Sequence, residues 1–278
     1  MVSKESGTNY IFSNRFLKQV VAGLVTAACI YSCRAPEDFP IVPNIGFDQV
    51  IFKDLTDQPD SLILFIDFED GDGDLGLNRD ENDYPYQDFD FVVDEDGRIV
   101  TLSATDTRPP YYQFAFESGQ NPDKISDTDN RPVFSCDNYD FLFINEDRNV
   151  FIPKGTKTTD IDLSQFHLDT LFVVKNENRN NIFVDFFRKR GSNYEFIDWK
   201  RAFDENGCGI DFNARFPIFD VQSLNSSLEG TIKYSMTSSG FNVLIRTDTF
   251  KLRVKIKDRR LHDSNVIETG DLTLESLK

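Results

Sequence analysis

Histidine is almost missing from this chain, with 2 in 278 residues. His167 and His262 stand far apart, so the side chain most often used for proton transfer near neutral pH has little presence. No His/Cys spacing suits zinc. No Gly-x-Ser-x-Gly elbow and no phosphate-cradling glycine loop occurs. Carboxylates are abundant, but the sequence singles out no pair at glycosidase separation. These absences predict a protein that is not an enzyme. Cations are the minority charge, 30 Lys and Arg against 47 Asp and Glu, for a formal net charge of −17. Phosphate backbones repel such a chain, which excludes nucleic acid as a partner. Anionic lipid offers it no electrostatic hold either. No apolar run reaches the roughly 20 residues of a membrane span.

What is present near the start of the chain points to export. Residues 20–32 are apolar and follow Arg15 and Lys18, the pattern of a secretory signal with a basic region and a short apolar core. Ile30-Tyr31-Ser32-Cys33 reads as a bacterial lipobox: aliphatic at −3, small at −1, then the cysteine that is lipidated and becomes the new N-terminus. Thr26-Ala27-Ala28-Cys29 is a weaker second candidate. The expected organisation is a signal over 1–32, the lipid on Cys33, and an extended tether over 33–44 built on Pro36, Pro40 and Pro43. Losing the signal removes Lys4, Arg15 and Lys18 but only Glu5, so the mature chain is more acidic still. Of the 4 cysteines, Cys136 and Cys208 then remain. Exported compartments preserve disulfides, so these two either pair with each other or stay as buried free thiols.

The rest of the chain is patterned for strands. It carries 27 Phe and 9 Tyr, material suited to a β-rich core. Alternation or β-branched runs mark 47–55, 61–69, 89–94, 98–103, 111–116, 139–144, 171–175, 181–188, 194–199 and 250–257. The cleanest alternates Phe250, Leu252, Val254 and Ile256 with Lys251, Arg253, Lys255 and Lys257. The cationic face is expected to be solvated and opposed by acids. Asp94-Glu95-Asp96-Gly97 and Gly191-Ser192-Asn193 are turn signals, and the polar stretch 117–131 reads as an exposed loop. Many short strands and no amphipathic helix beyond two turns predict an all-β chain of two antiparallel sandwiches, over 45–156 and 157–278.

The strongest chemical signal is Asp70-Gly71-Asp72-Gly73-Asp74-Leu75-Gly76, continued to Glu81. Carboxylates at alternate positions with glycines between them let one loop wrap a hard cation such as Ca²⁺. Aligned on the EF-hand calcium loop, Asp70, Asp72 and Asp74 take positions 1, 3 and 5, the Gly76 carbonyl position 7, and Glu81 the bidentate position 12. Leu75 stands where the turn glycine belongs, and the flanks are not helical. A metal-free acidic turn is the alternative, weakened by the repulsion among its carboxylates. Separately, Tyr111, Tyr112 and Trp199 are candidates for an aromatic platform that stacks on sugar rings.

Several segments together resemble a group of uncharacterised Bacteroidota outer-membrane lipoproteins: 68–76, 181–186, 215–217, 228–234 and 256–265. The last of these looks like the final hairpin of an immunoglobulin-like domain. The resemblance implies an immunoglobulin-like β-sandwich held by its lipid at the outer membrane, on the periplasmic face or the cell surface. It implies no activity of its own. The expectation is therefore a calcium-stabilised binding or accessory subunit of an outer-membrane protein complex in transport, assembly or secretion. The alternative is a glycan-binding accessory lipoprotein of the cell surface.

Overall fold

Strand β1 (Asn44–Lys53) turns back through a polar corner into β2 (Ser61–Asp70), and the two pair antiparallel along their whole length. This is a computed structural model, described over residues 39–114, 122–145, 150–153, 163–219 and 226–278. Cys33 and the signal lie outside the described residues. The further strands are β3 (Phe89–Val93), β4 (Tyr111–Phe114), β5 (Asp123–Ser126), β6 (Tyr139–Asn145), β7 (Val150–Pro153) and β8 (His167–Lys175). After these come β9 (Ile182–Arg190), β10 (Asn193–Phe196), β11 (Leu228–Thr237), β12 (Phe250–Ile256) and β13 (Ile267–Glu268). The single α-helical turn among the described residues is α1 (Phe241–Leu244). No described helix is long and apolar enough to cross a membrane.

The protein is an all-β sandwich carrying an additional sheet. One layer is three-stranded, in the order β1-β2-β11, and the facing layer is four-stranded, in the order β10-β9-β12-β13. Leu62, Leu64 and Ile66 from β2 meet Phe186 from β9 and Phe250, Leu252, Val254 and Ile256 from β12 in one buried cluster. The period of two in β12 places its apolar side chains in that core, as expected. Its cations face outward onto acids: Lys251 and Arg253 share Glu268, and Lys255 pairs with Asp263. Trp199 meets Phe186 and Phe212 edge-to-face in this core, and Phe212 lies tilted against Phe186.

The remaining strands form a six-stranded sheet, β5-β4-β3-β8-β6-β7. It has a small apolar cluster on each face, one around Tyr111 and Tyr139 and one around Leu142 and Leu171. The expected pair of sandwiches is thus realised as one two-layer sandwich and one six-stranded sheet. The expected boundary between residues 156 and 157 is corrected, because β8 pairs with β3 and β6 from before it. The sandwich likewise unites β1 and β2 with strands after residue 180. The organisation is nested: residues 89–175 are inserted between β2 and β9. Asn176 draws the two ends of the insertion together, its side-chain amide donating to the carbonyls of Pro85 (2.7 Å) and Gln87 (2.8 Å).

Two local expectations also change. The polar stretch 117–131 contains β5, which pairs with β4 at the sheet edge; an edge strand tolerates exposed Asp123 and Lys124 where a central one would not. Residues 98–103 make isolated bridges from Ile99 to Val93 and from Thr101 to Leu171 rather than a full strand. The preceding turn is fixed by buried Asp94, whose carboxylate accepts from the backbone of Asp96, Arg98 and Arg108. Cys136 and Cys208 are disulfide-bonded, so the insertion is tied covalently to the loop that follows β10.

Candidate metal centre

The acidic loop begins where β2 ends, at Asp70. Asp70 is fully buried because β2 lies centrally in its layer, with Asp70 opposite Leu228 of β11. The chain then turns sharply. The Gly71 N–H donates to the Pro40 carbonyl at 2.8 Å, and a Cβ at Gly71 would lie 2.3 Å from the Phe39 oxygen. Gly76 is needed for a second reason: its φ of +103° is left-handed, and a Cβ there would lie 2.5 Å from the Ile218 Cα. Around this turn the carboxylates of Asp70, Asp72 and Asp74 converge, with ligand atoms all within 4.8 Å of one another.

The hydrogen bonding leaves one oxygen of each carboxylate without a partner. Asp70 Oδ2 accepts the Asp74 N–H at 3.0 Å, and Asp72 Oδ2 pairs with Arg260 Nη1. Asp74 Oδ2 lies 3.7 Å from Arg260 Nε. The three Oδ1 atoms are buried and have no hydrogen-bond donor among the described residues. Burial first, and then the charges of Asp72 and Asp74, push the Asp70 pKa up to about 7. Burial and then the charge of Asp258 push Asp74 up to about 6. Three like charges brought together in a poorly solvated place call for a compensating cation.

Glu81 does not join this cluster, and its assignment is corrected. Leu75 and Leu77 enter the sandwich core, at 1% and 3% exposure, and carry the chain away from an EF-hand path. Glu81 instead forms a two-pronged ion pair with Arg259, at 2.5 and 2.9 Å, which holds its carboxyl below the usual range. The Gly76 carbonyl faces the same guanidinium at 3.3 Å. A carbonyl beside a fixed cation is a poor ligand for a second one.

The surroundings come from a part of the chain that sequence reasoning did not connect with the loop. Residues 258–262, just after β12, lie against it. The Arg259 N–H donates to the Asp74 carbonyl at 3.2 Å. Asp258 is 2% exposed and accepts from the His262 backbone at 2.7 Å, with the His262 ring nitrogen Nδ1 at 2.8 Å from its second oxygen. Arg215 fixes the far side of the loop, donating to the carbonyls of Asn78, Glu81 and Tyr86. Buried Asn181 bridges the Phe216 backbone by accepting its N–H at 2.8 Å and donating to its carbonyl at 3.1 Å. Phe216 with Asn181, Leu228 and residues 258–262 therefore meet around this one loop. Family models, curated proteins and solved structures were compared with the chain, and none matches.

The aromatic platform is also corrected. Tyr111 is fully buried in the insertion, its hydroxyl donating to Thr107 at 2.8 Å. Trp199, at 5% exposure, belongs to the separate sandwich core. Tyr112 is half-buried on β4 beside Tyr111. No sugar ring can stack on faces already covered by protein. Of the histidines, His167 is exposed at the start of β8, and His262 serves Asp258.

Proposed function

We propose that this protein is a lipid-anchored outer-membrane lipoprotein that works by binding rather than by chemistry. In this reading it is an accessory subunit of an outer-membrane protein complex serving transport, assembly or secretion, and a calcium ion on Asp70, Asp72 and Asp74 stabilises its sandwich. The observation that carries the reading is the set of buried Oδ1 atoms without donors, one on each of three converging carboxylates. Ca²⁺ accepts six to eight oxygens at about 2.3–2.6 Å in flexible geometry, which suits a glycine-rich loop completed by carbonyls and water. Mg²⁺ demands a stricter octahedron and sheds water reluctantly. The anchor rests on Arg15, Lys18, the apolar run 20–32 and Cys33. Of the three residues that suggested the glycan alternative, Tyr111 and Trp199 are buried and Tyr112 alone keeps a partly open face.

A mild-detergent pull-down of the lipidated protein from its native membranes, with and without chelator, tests the subunit reading. A stoichiometric barrel or lipoprotein partner is expected, and Cys33→Ser should move the protein out of the membrane fraction. A protein that emerges alone under both conditions is not a subunit. For the ion, calcium should raise the melting temperature, and the double change Asp72→Ala, Asp74→Ala should abolish that rise. A melt unaffected by excess chelator removes the metal from the account.

A further inference from the structure

The two consecutive arginines on the neighbouring loop do different work. Arg259 is the more buried, with a side-chain exposure of 26%, and both prongs of its guanidinium are on Glu81. Its plane also lies over the Tyr86 ring, 5.4 Å from the centroid, while the Tyr86 hydroxyl donates to the Arg259 carbonyl at 2.5 Å. This is a fixed clamp, and removing it would undo the path of residues 76–86. Arg260 is 52% exposed, and among the described residues its guanidinium rests on the cluster alone, pairing with Asp72 and lying 3.7 Å from Asp74. A guanidinium on the Oδ2 atoms of Asp72 and Asp74, and a divalent cation on their Oδ1 atoms, would thus draw on the same two carboxylates.

We propose that Arg260 is a built-in competitor of the cation: a tethered monovalent charge that neutralises Asp72 and Asp74 and yields when a divalent ion engages them. This inference rests on the calcium reading above and adds the residue that sets the affinity of the site. The physics favours exchange rather than co-occupancy. A dication and a guanidinium within a few ångströms of each other repel strongly in a partly buried site. The long Arg260 side chain is 52% exposed and can return to water, while Asp72 and Asp74, at 14% and 12%, keep a counter-charge in the divalent ion. Asp70 has no such partner, so it stays available to the ion throughout. The arrangement discriminates against monovalent ions, which cannot outbid a tethered charge of their own valence. It also makes affinity sensitive to ionic strength, since salt weakens the half-exposed guanidinium's hold more than it weakens inner-sphere coordination.

The test is calorimetric titration of Ca²⁺ into the full-length lipidated protein in mild detergent, for wild type, Arg260→Gln and Arg260→Lys. Arg260→Gln should bind calcium at least tenfold more tightly, and its calcium-induced rise in melting temperature should be larger. Arg260→Lys keeps the competing charge and should stay within a few-fold of wild type. If wild type binds calcium but Arg260→Gln binds no more tightly, the competitor role is wrong while the site survives. If neither wild type nor Arg260→Gln binds, the site and the competitor fall together. Weaker binding in Arg260→Gln would make Arg260 an organiser of the carboxylates and overturn the proposal.

Discussion

Asp70 is shielded completely from solvent, yet one of its oxygens meets no donor. Its pKa of about 7 and that of Asp74, about 6, both lie above the ordinary 3.8. Raised acids favour the fold while protonated. Their contribution is complete below about pH 4 and is lost as the pH rises through 6 and 7. In excess chelator the melting temperature should therefore fall between pH 5 and pH 8. Saturating calcium should flatten that slope, because the ion takes the place of the protons, and Asp70→Asn should flatten it in chelator. A melting temperature that does not fall from pH 5 to 8 in chelator would contradict the burial of these charges. Asn181 offers a test free of electrostatics. Asn181→Ala strands the buried Phe216 N–H, at a cost of about 1–3 kcal/mol. That corresponds to a fall in melting temperature of roughly 2–12 °C for a domain of this size. At this scale the sequence was half legible. Alternating carboxylates announced themselves in Asp70, Asp72 and Asp74. Asp258, Arg259 and Arg260 gave no signal, because nothing local says that a loop nearly 190 residues away (|i−j| of 188 for Arg260 and Asp72) will arrive there. Glu81 was misassigned because Leu75 and Leu77, by entering the core, decide the path of the loop.

Strands were legible where burial is one-sided. β12 could be read residue by residue, since Phe250, Leu252, Val254 and Ile256 alternate with cations that find Glu268 and Asp263 outside. β5 was illegible because an edge strand needs no apolar face, and Asp123–Ser126 contributes only Ile125 to packing. The aromatic platform failed for a related reason: large aromatic side chains enter cores more often than surfaces, and Tyr111 and Trp199 entered two different ones. Between elements, the disulfide from Cys136 to Cys208 adds a cross-link between the insertion and the sandwich to the two main-chain connections. It closes a loop with a sequence separation of 72. A loop of that size stabilises by about 4 kcal/mol in the chain-entropy model. The double change Cys136→Ser, Cys208→Ser should lower the melting temperature by roughly 10 °C. Reductant should lower the wild type by a similar amount and leave the double variant unmoved. Equal melting of wild type and variant would mean that contacts such as Arg201 and Lys200 with Asp137 hold the junction unaided.

Nesting is the property of the whole molecule that the linear pattern concealed. Strand-like segments succeed one another with similar turns from residue 44 to 268, so the eye divides them in the middle. Pairing divides them differently, because β2 finds β11 across the entire insertion, and β8 returns to β3 before the sandwich resumes at β9. Among the described residues, the core of the sandwich draws none from positions 78–181. The ends of the insertion also lie side by side, the Asn176 N–H donating to the Asp88 carbonyl at 3.1 Å. A chain whose core is complete without an inserted segment, and whose cut ends already touch, should fold without it. We expect that replacing residues 88–175 with a short Gly/Ser linker, with Cys208→Ser to remove the orphan thiol, gives a soluble sandwich with a single cooperative melt. The acidic loop, Arg215 and residues 258–262 all lie in the retained part, so calcium should still raise its melting temperature. A variant that aggregates or melts without cooperativity would show that the six-stranded sheet supports the sandwich. One that folds but ignores calcium would place a missing ligand in the insertion. If the sandwich stands alone and keeps its ion, the insertion is free to be the surface that meets the partner. Repeating the pull-down with the shortened protein should then lose the partner while the membrane anchor and the calcium response remain.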